Sequence, residues 1–70
     1  MKANVKELMM NAKTALVMGN KVVASDNLNT GILVLARMTQ EGITNTEGAS
    51  VDRWKERFWF ELETNDLMED

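Results

Sequence analysis

The sequence has no cysteine, no histidine and no proline. Without cysteine no disulfide forms, which fits a reducing compartment. Without thiolates or imidazoles the usual donors of a structural zinc site are missing, and no metal or other cofactor is expected. The usual nucleophile–base dyads and triads cannot be built either, because they pair Ser, Cys or Thr with a nearby base, most often histidine. Ser25 and Ser50 read as helix caps. The carboxylates gather towards a charged C-terminal end, not in an apolar setting that would suit acid–base work.

A calcium loop counted from Asp26 puts Gly31 at the required sixth position. It fails because Leu28 occupies a ligand position and Arg37 stands where a bidentate glutamate belongs. No glycine-rich phosphate loop of the required spacing occurs. These gaps leave no catalytic residues to name and no small-molecule substrate to infer, and the chain reads as not an enzyme.

Long apolar runs are absent too. The longest, Ile32 to Ala36, is far below the roughly 20 residues of a membrane span. Lys2, Lys6 and Glu7 precede any apolar run, so the beginning does not read as a signal peptide. The expectation is a cytoplasmic protein.

Seventy residues suit one domain. A core of that size rarely supplies more than about 3–5 kcal/mol, and small domains commonly add a disulfide, a metal or a partner chain. Here the partner chain is the addition still open, beside well-packed helices alone.

The net charge is −3, unevenly spread. Residues 1–40 hold five bases and two acids (+3), and residues 41–70 hold three bases and nine acids (−6). Such polarity can guide head-to-tail or antiparallel association. Residues 65–70 read as an acidic, frayed tail after a single domain over 1–64.

With no proline, nothing interrupts a helix by force. Val5, Leu8, Met9, Ala12, Ala15, Leu16, Gly19 and Val23 keep helical spacing, which predicts one helix over about 4–24 with Gly19 on its buried face. Two alternatives stand beside it. Gly19 can cap a helix that ends at Met18, or Gly19-Asn20 can turn a β-hairpin within residues 15–24. Ser25-Asp26-Asn27 has cap composition, which predicts a second helix over 28–40 with Leu28, Ile32, Leu35 and Thr39 along one side and Gly42 at its end. Residues 42–50 have loop composition. Ser50 then caps a third helix over 51–64, with Asp52 in its first turn and Val51, Trp54, Phe58 and Leu62 facing inward. Phe58, Phe60 and Leu62 also alternate, which leaves a strand alternative there. The expected fold is all-α, a small bundle of about three helices.

Two of these helices are apolar on more than one side. Met10 and Val17 lie off the main stripe of the first, flanked by Lys2, Lys6 and Lys13. Trp59 and Phe60 lie off the stripe of the third, and Leu67 shares the Phe60 side if that helix continues. A helix with opposed apolar faces needs a second neighbour. Leaving Trp59 and Phe60 in water forgoes about 1.5–3 kcal/mol for each large side chain, and aromatics and methionine are enriched at interfaces. Met10, Val17, Trp59, Phe60 and Leu67 are therefore the candidate partner-binding residues, with Lys2, Lys6 and Lys13 as a charged flank.

The expected function is a non-catalytic protein–protein interaction module, homo-oligomeric or clamped onto a larger target it modulates. An accessory or inhibitory protein of a phage or mobile element is compatible with that. The rival class is a small DNA-binding regulator. Gly48-Ala49-Ser50 before Val51–Lys55 loosely resembles the turn and recognition helix of a helix-turn-helix protein, with Arg53, Lys55 and Arg57 as candidate contacts. Asp52, Glu56, Glu61 and Glu63 surround those bases and oppose phosphate attraction. Membrane-surface association through the first helix is a third reading, resting on a narrow face of lysines.

Overall fold

The structure, a computed structural model, describes residues 4–68. It contains helix α1 (Val5–Val17), helix α2 (Lys21–Gln40), two short strands, β1 (Asn45–Thr46) and β2 (Ala49–Ser50), and helix α3 (Val51–Thr64). The all-α class is as expected and the third helix has the expected bounds. The first two helices do not.

A helix over 4–24 is replaced by one that stops at Val17, because Gly19 adopts φ +77°. The Gly19 amide donates to the Leu16 carbonyl at 3.0 Å and the Asn20 amide to the Ala15 carbonyl at 2.8 Å, the paired bonds of a Schellman cap. Asn20 then begins the next helix, its side chain accepting from the Val23 amide at 3.2 Å. One residue thus closes α1 and caps α2, and the hairpin alternative for residues 15–24 falls with it.

The helix expected over 28–40 starts at Lys21 instead. Ser25, Asp26 and Asn27 lie inside it. Their cap chemistry is spent along the helix surface, with Asn27 Nδ2 donating to the Val23 carbonyl at 2.8 Å and Asn29 Nδ2 to Ser25 Oγ at 3.2 Å.

The segment read as loop holds a β-hairpin. Asn45 pairs with Ser50 and Thr46 with Ala49. Glu47 (φ 45°) and Gly48 (φ 83°) form its tip, the two left-handed residues of the turn that matches strand twist. Ser50 caps α3 as expected, accepting from the Arg53 amide at 3.1 Å. Residues 57–63 are helical, so the strand alternative does not occur.

Helix α2 packs against both α1 and α3, which approach each other far less closely. Val5, Met9, Ala12, Leu28, Leu35, Val51, Trp54, Phe58 and Leu62 make the core. All four residues of the expected α3 stripe are in it. Gly19 and Val23, expected on the buried face of the first helix, are exposed. The glycine that does matter to packing is Gly31, buried in α2 with the Phe58 ring lying directly against its backbone.

The hairpin ties the two ends of the fold together. The Trp54 indole donates to the Thr46 carbonyl at 3.1 Å, anchoring β1 to α3. Glu47 Oε1 accepts from the Val5 amide at 3.1 Å, while Asn4 Oδ1 accepts from Glu7 N at 2.9 Å. Two of the unpaired first-turn amides of α1 are thereby satisfied, one from a site remote in sequence, and the carboxylate faces the positive end of the helix dipole. After α3, Asn65 to Leu67 are held in a cap bonded to Glu61, Glu63 and Leu62, and Leu67 packs on the core. The frayed tail expected over 65–70 thus begins no earlier than Met68, and residues 69 and 70 lie outside the described ones.

Candidate functional site

Because α2 spaces α1 from α3, an open groove of about 580 Å³ runs between those two helices. Both run along it in the same direction. Lys6 and Trp54 lie towards one end, and Lys13 meets Glu61 towards the other, Nζ to Oε1 at 4.0 Å. Buried Met9 and Trp54 form the floor. Met10 and Phe60 stand on opposite walls, 60% and 62% exposed.

The rim is charged. Lys6 and Lys13 belong to α1; Glu56, Arg57 and Glu61 belong to α3. The Arg57 guanidinium lies 5.0 Å from the centroid of the Trp54 ring. That contact holds the cation at the groove edge over an aromatic face. The walls are helices whose backbone groups are already paired, so the groove offers a partner apolar surface and side-chain charge, not backbone hydrogen bonds.

The five candidate partner-binding residues do not make one surface. Met10 and Phe60 both line the groove, one on each wall. Val17 lies on the Met10 side of α1 but does not line the groove. It is 89% exposed and joins Met18, Val22 and Val23, all exposed, around the turn at Gly19-Asn20. Trp59 and Leu67 border a different hollow with Asn29, Leu62 and Met68; Trp59 is 42% exposed. Of the charged flank, Lys6 and Lys13 line the groove and Lys2 lies outside the described residues.

The alternative DNA-contact residues are also divided. Arg53 and Arg57 share one side of α3, while Lys55 is half-buried on another. The hairpin, not a helix, precedes α3, so α3 is not the second helix of a helix-turn-helix.

Sequence reasoning missed the floor and the α3 rim. Met9 and Trp54 read only as core, and Glu56 and Glu61 only as acids that oppose phosphate attraction. The adjacent pair Met9-Met10, one inward and one outward, was the available signal. What could not be seen was that α1 and α3 lie side by side.

Among the described residues no three acidic side chains converge in a way that would hold a metal ion, and no helix is long and apolar enough to cross a membrane. No protein-family model, no characterised protein and no solved structure shows a significant similarity to the chain.

Proposed function

We propose that the chain is a non-catalytic protein-binding module whose contact surface is the groove between α1 and α3. The observation that carries this reading is that Met10 and Phe60, remote in sequence and both largely exposed, line one groove above a floor of Met9 and Trp54. Covering two such side chains is worth about 3–6 kcal/mol at 1.5–3 kcal/mol each. The charged rim limits which apolar surfaces fit, as charge does at specific interfaces.

DNA binding has less support, because the bases of α3 are split between faces and acids are interleaved with them. Titration of labelled random duplex at low salt checks it, and saturable binding there would favour that reading.

The groove reading is tested by Phe60→Asp and Met10→Asp, with Val17→Asp as the control on an exposed apolar residue outside the groove. The expected outcome is that the first two abolish association, with itself or with a protein captured from host lysate, while far-UV circular dichroism keeps its helical signal. Val17→Asp leaves association intact. Equal loss from all three, or none from the groove pair, would overturn the assignment.

A further inference from the structure

We infer that the hairpin tip is a latch on the groove: the Glu47 side chain holds the first turn of α1 in place, and with it the Lys6 end of the groove. This goes beyond the groove reading above and does not depend on what the groove binds.

Glu47 is an uncommon residue for its position. It takes φ 45° and Gly48 takes φ 83°, the paired left-handed residues of a two-residue hairpin turn. Asparagine or aspartate before glycine is the ordinary choice there. Any longer side chain meets the steric cost of left-handed backbone without their local hydrogen bonding. What glutamate gains lies outside the turn. Its Oε1 accepts from the Val5 amide at 3.1 Å, 42 residues away. Disfavoured backbone persists where surrounding contacts hold it, and here that contact reaches α1.

The hairpin is a firm base for such an arm. The Val51 amide donates to the Thr44 carbonyl at 2.8 Å and closes its foot. The Ile43 amide donates to the Met38 carbonyl at 2.9 Å and ties its approach to α2. Ser50 runs straight into α3. The Trp54 indole donates to the Thr46 carbonyl at 3.1 Å, so the residue next to Glu47 is fixed to the groove floor. Hairpin, end of α2 and start of α3 therefore act as one body.

The first turn of α1 is what this body can hold or release. At its far end α1 is joined to α2 by the short turn at Gly19-Asn20. Its first-turn amides have no partners within the helix; Asn4 serves Glu7 and Glu47 serves Val5. The Val5 side chain is in the core, so losing the bond loosens this turn and leaves the rest of α1 packed. Lys6 follows Val5 and lines the groove with Met9 and Trp54. Glu47 itself is exposed, so its carboxylate is released into water. The groove is thus held at one end by the hairpin and at the other by the Lys13–Glu61 pair at 4.0 Å.

The test reads distances between nitroxide labels by pulsed electron paramagnetic resonance. The sequence has no cysteine, so labels go only where cysteine is introduced. Glu7→Cys with Arg53→Cys spans the latched end, and Thr14→Cys with Glu63→Cys spans the other; all four positions are exposed. Glu47→Ala and Glu47→Asn are each expected to raise the population with a displaced first turn about tenfold, equivalent to about 1.4 kcal/mol. The first pair reports that change and the second pair stays as in the natural chain. Asparagine suits the turn but is one methylene shorter than glutamate, so it relieves the backbone while breaking the bond. Glu47→Gln keeps an accepting oxygen and stays within about threefold of the natural chain. Circular dichroism checks that each variant is folded.

A hairpin that serves only local stability gives a different result for Glu47→Asn, a better turn and an unmoved α1. That result overturns the proposal. So does a Glu47→Gln as loose as Glu47→Ala, or equal widening of both label pairs.

Discussion

Gly31 shows how one missing side chain sets the packing of the molecule. A Cβ there would overlap the ring of Phe58, a residue with no exposed surface and therefore no free direction in which to retreat. Two effects compete in Gly31→Ala. Alanine gains about 1 kcal/mol of helix propensity, and overpacking a tight core costs about 1–3 kcal/mol. Overlap with a buried ring puts the cost at the upper end. The expected result is a net loss of about 1–2 kcal/mol, seen as a drop in melting temperature of several degrees. A variant as stable as the natural chain would show that Phe58 has room to move. Gly31 was not legible as a packing residue, since its place in the sequence stood out only as the sixth position of a loop counted from Asp26. A glycine inside an apolar helix can mark a close approach, but the ring it meets comes from a helix far along the chain. The α3 stripe was legible in full, because Val51, Trp54, Phe58 and Leu62 repeat at helical spacing and all turn inward.

At the scale of elements, all three helices end the same way. Gly19, Gly42 and Asp66 each take a left-handed conformation, with φ of 77°, 76° and 56°. Each is followed by an amide that donates to the carbonyl five residues back, at Ala15, Met38 and Leu62. Nothing lies within 4 Å of a side chain built at Gly19 or Gly42, so backbone conformation alone decides what each will accept. Gly19→Ala is expected to cost about 1–2 kcal/mol, the penalty for a side chain in that conformation. Asp66→Gly is expected to gain about 0.5 kcal/mol or more, in the range of improved helix caps. Urea denaturation of the two variants checks the pair, and a loss of stability in Asp66→Gly would mean that its carboxylate contributes more than its backbone costs. The sequence misled at Gly19 because the apolar spacing of α1 continues in phase to Val23. It misled again at Ser25-Asp26-Asn27, which can serve as a cap yet sits comfortably mid-helix when its side chains bond to the preceding turn. The hairpin escaped because four strand residues are too few to show alternation.

For the whole molecule, the arrangement of α1 beside α3 decides everything said about the groove, and periodicity carries no information on it. Met10 and Phe60 were legible as outward-facing. Their place in one groove, and the separation of Val17 and Trp59 from it, depended on which neighbours α2 holds apart. The bond from the Val5 amide to Glu47, 42 residues away, is the only side-chain hydrogen bond described that joins α1 to the hairpin. First-turn amides of a helix ordinarily trade their hydrogens with water quickly, since they belong to no internal ladder. This one is shielded for as long as the hairpin tip stays seated. Its deuterium uptake should therefore be slow, with a protection approaching that of the core, and Glu47→Ala should return it to the fast rate of a frayed end. The Val5 amide would then serve as a gauge of whether the beginning of the chain and its middle are still joined, readable in solution without any added label.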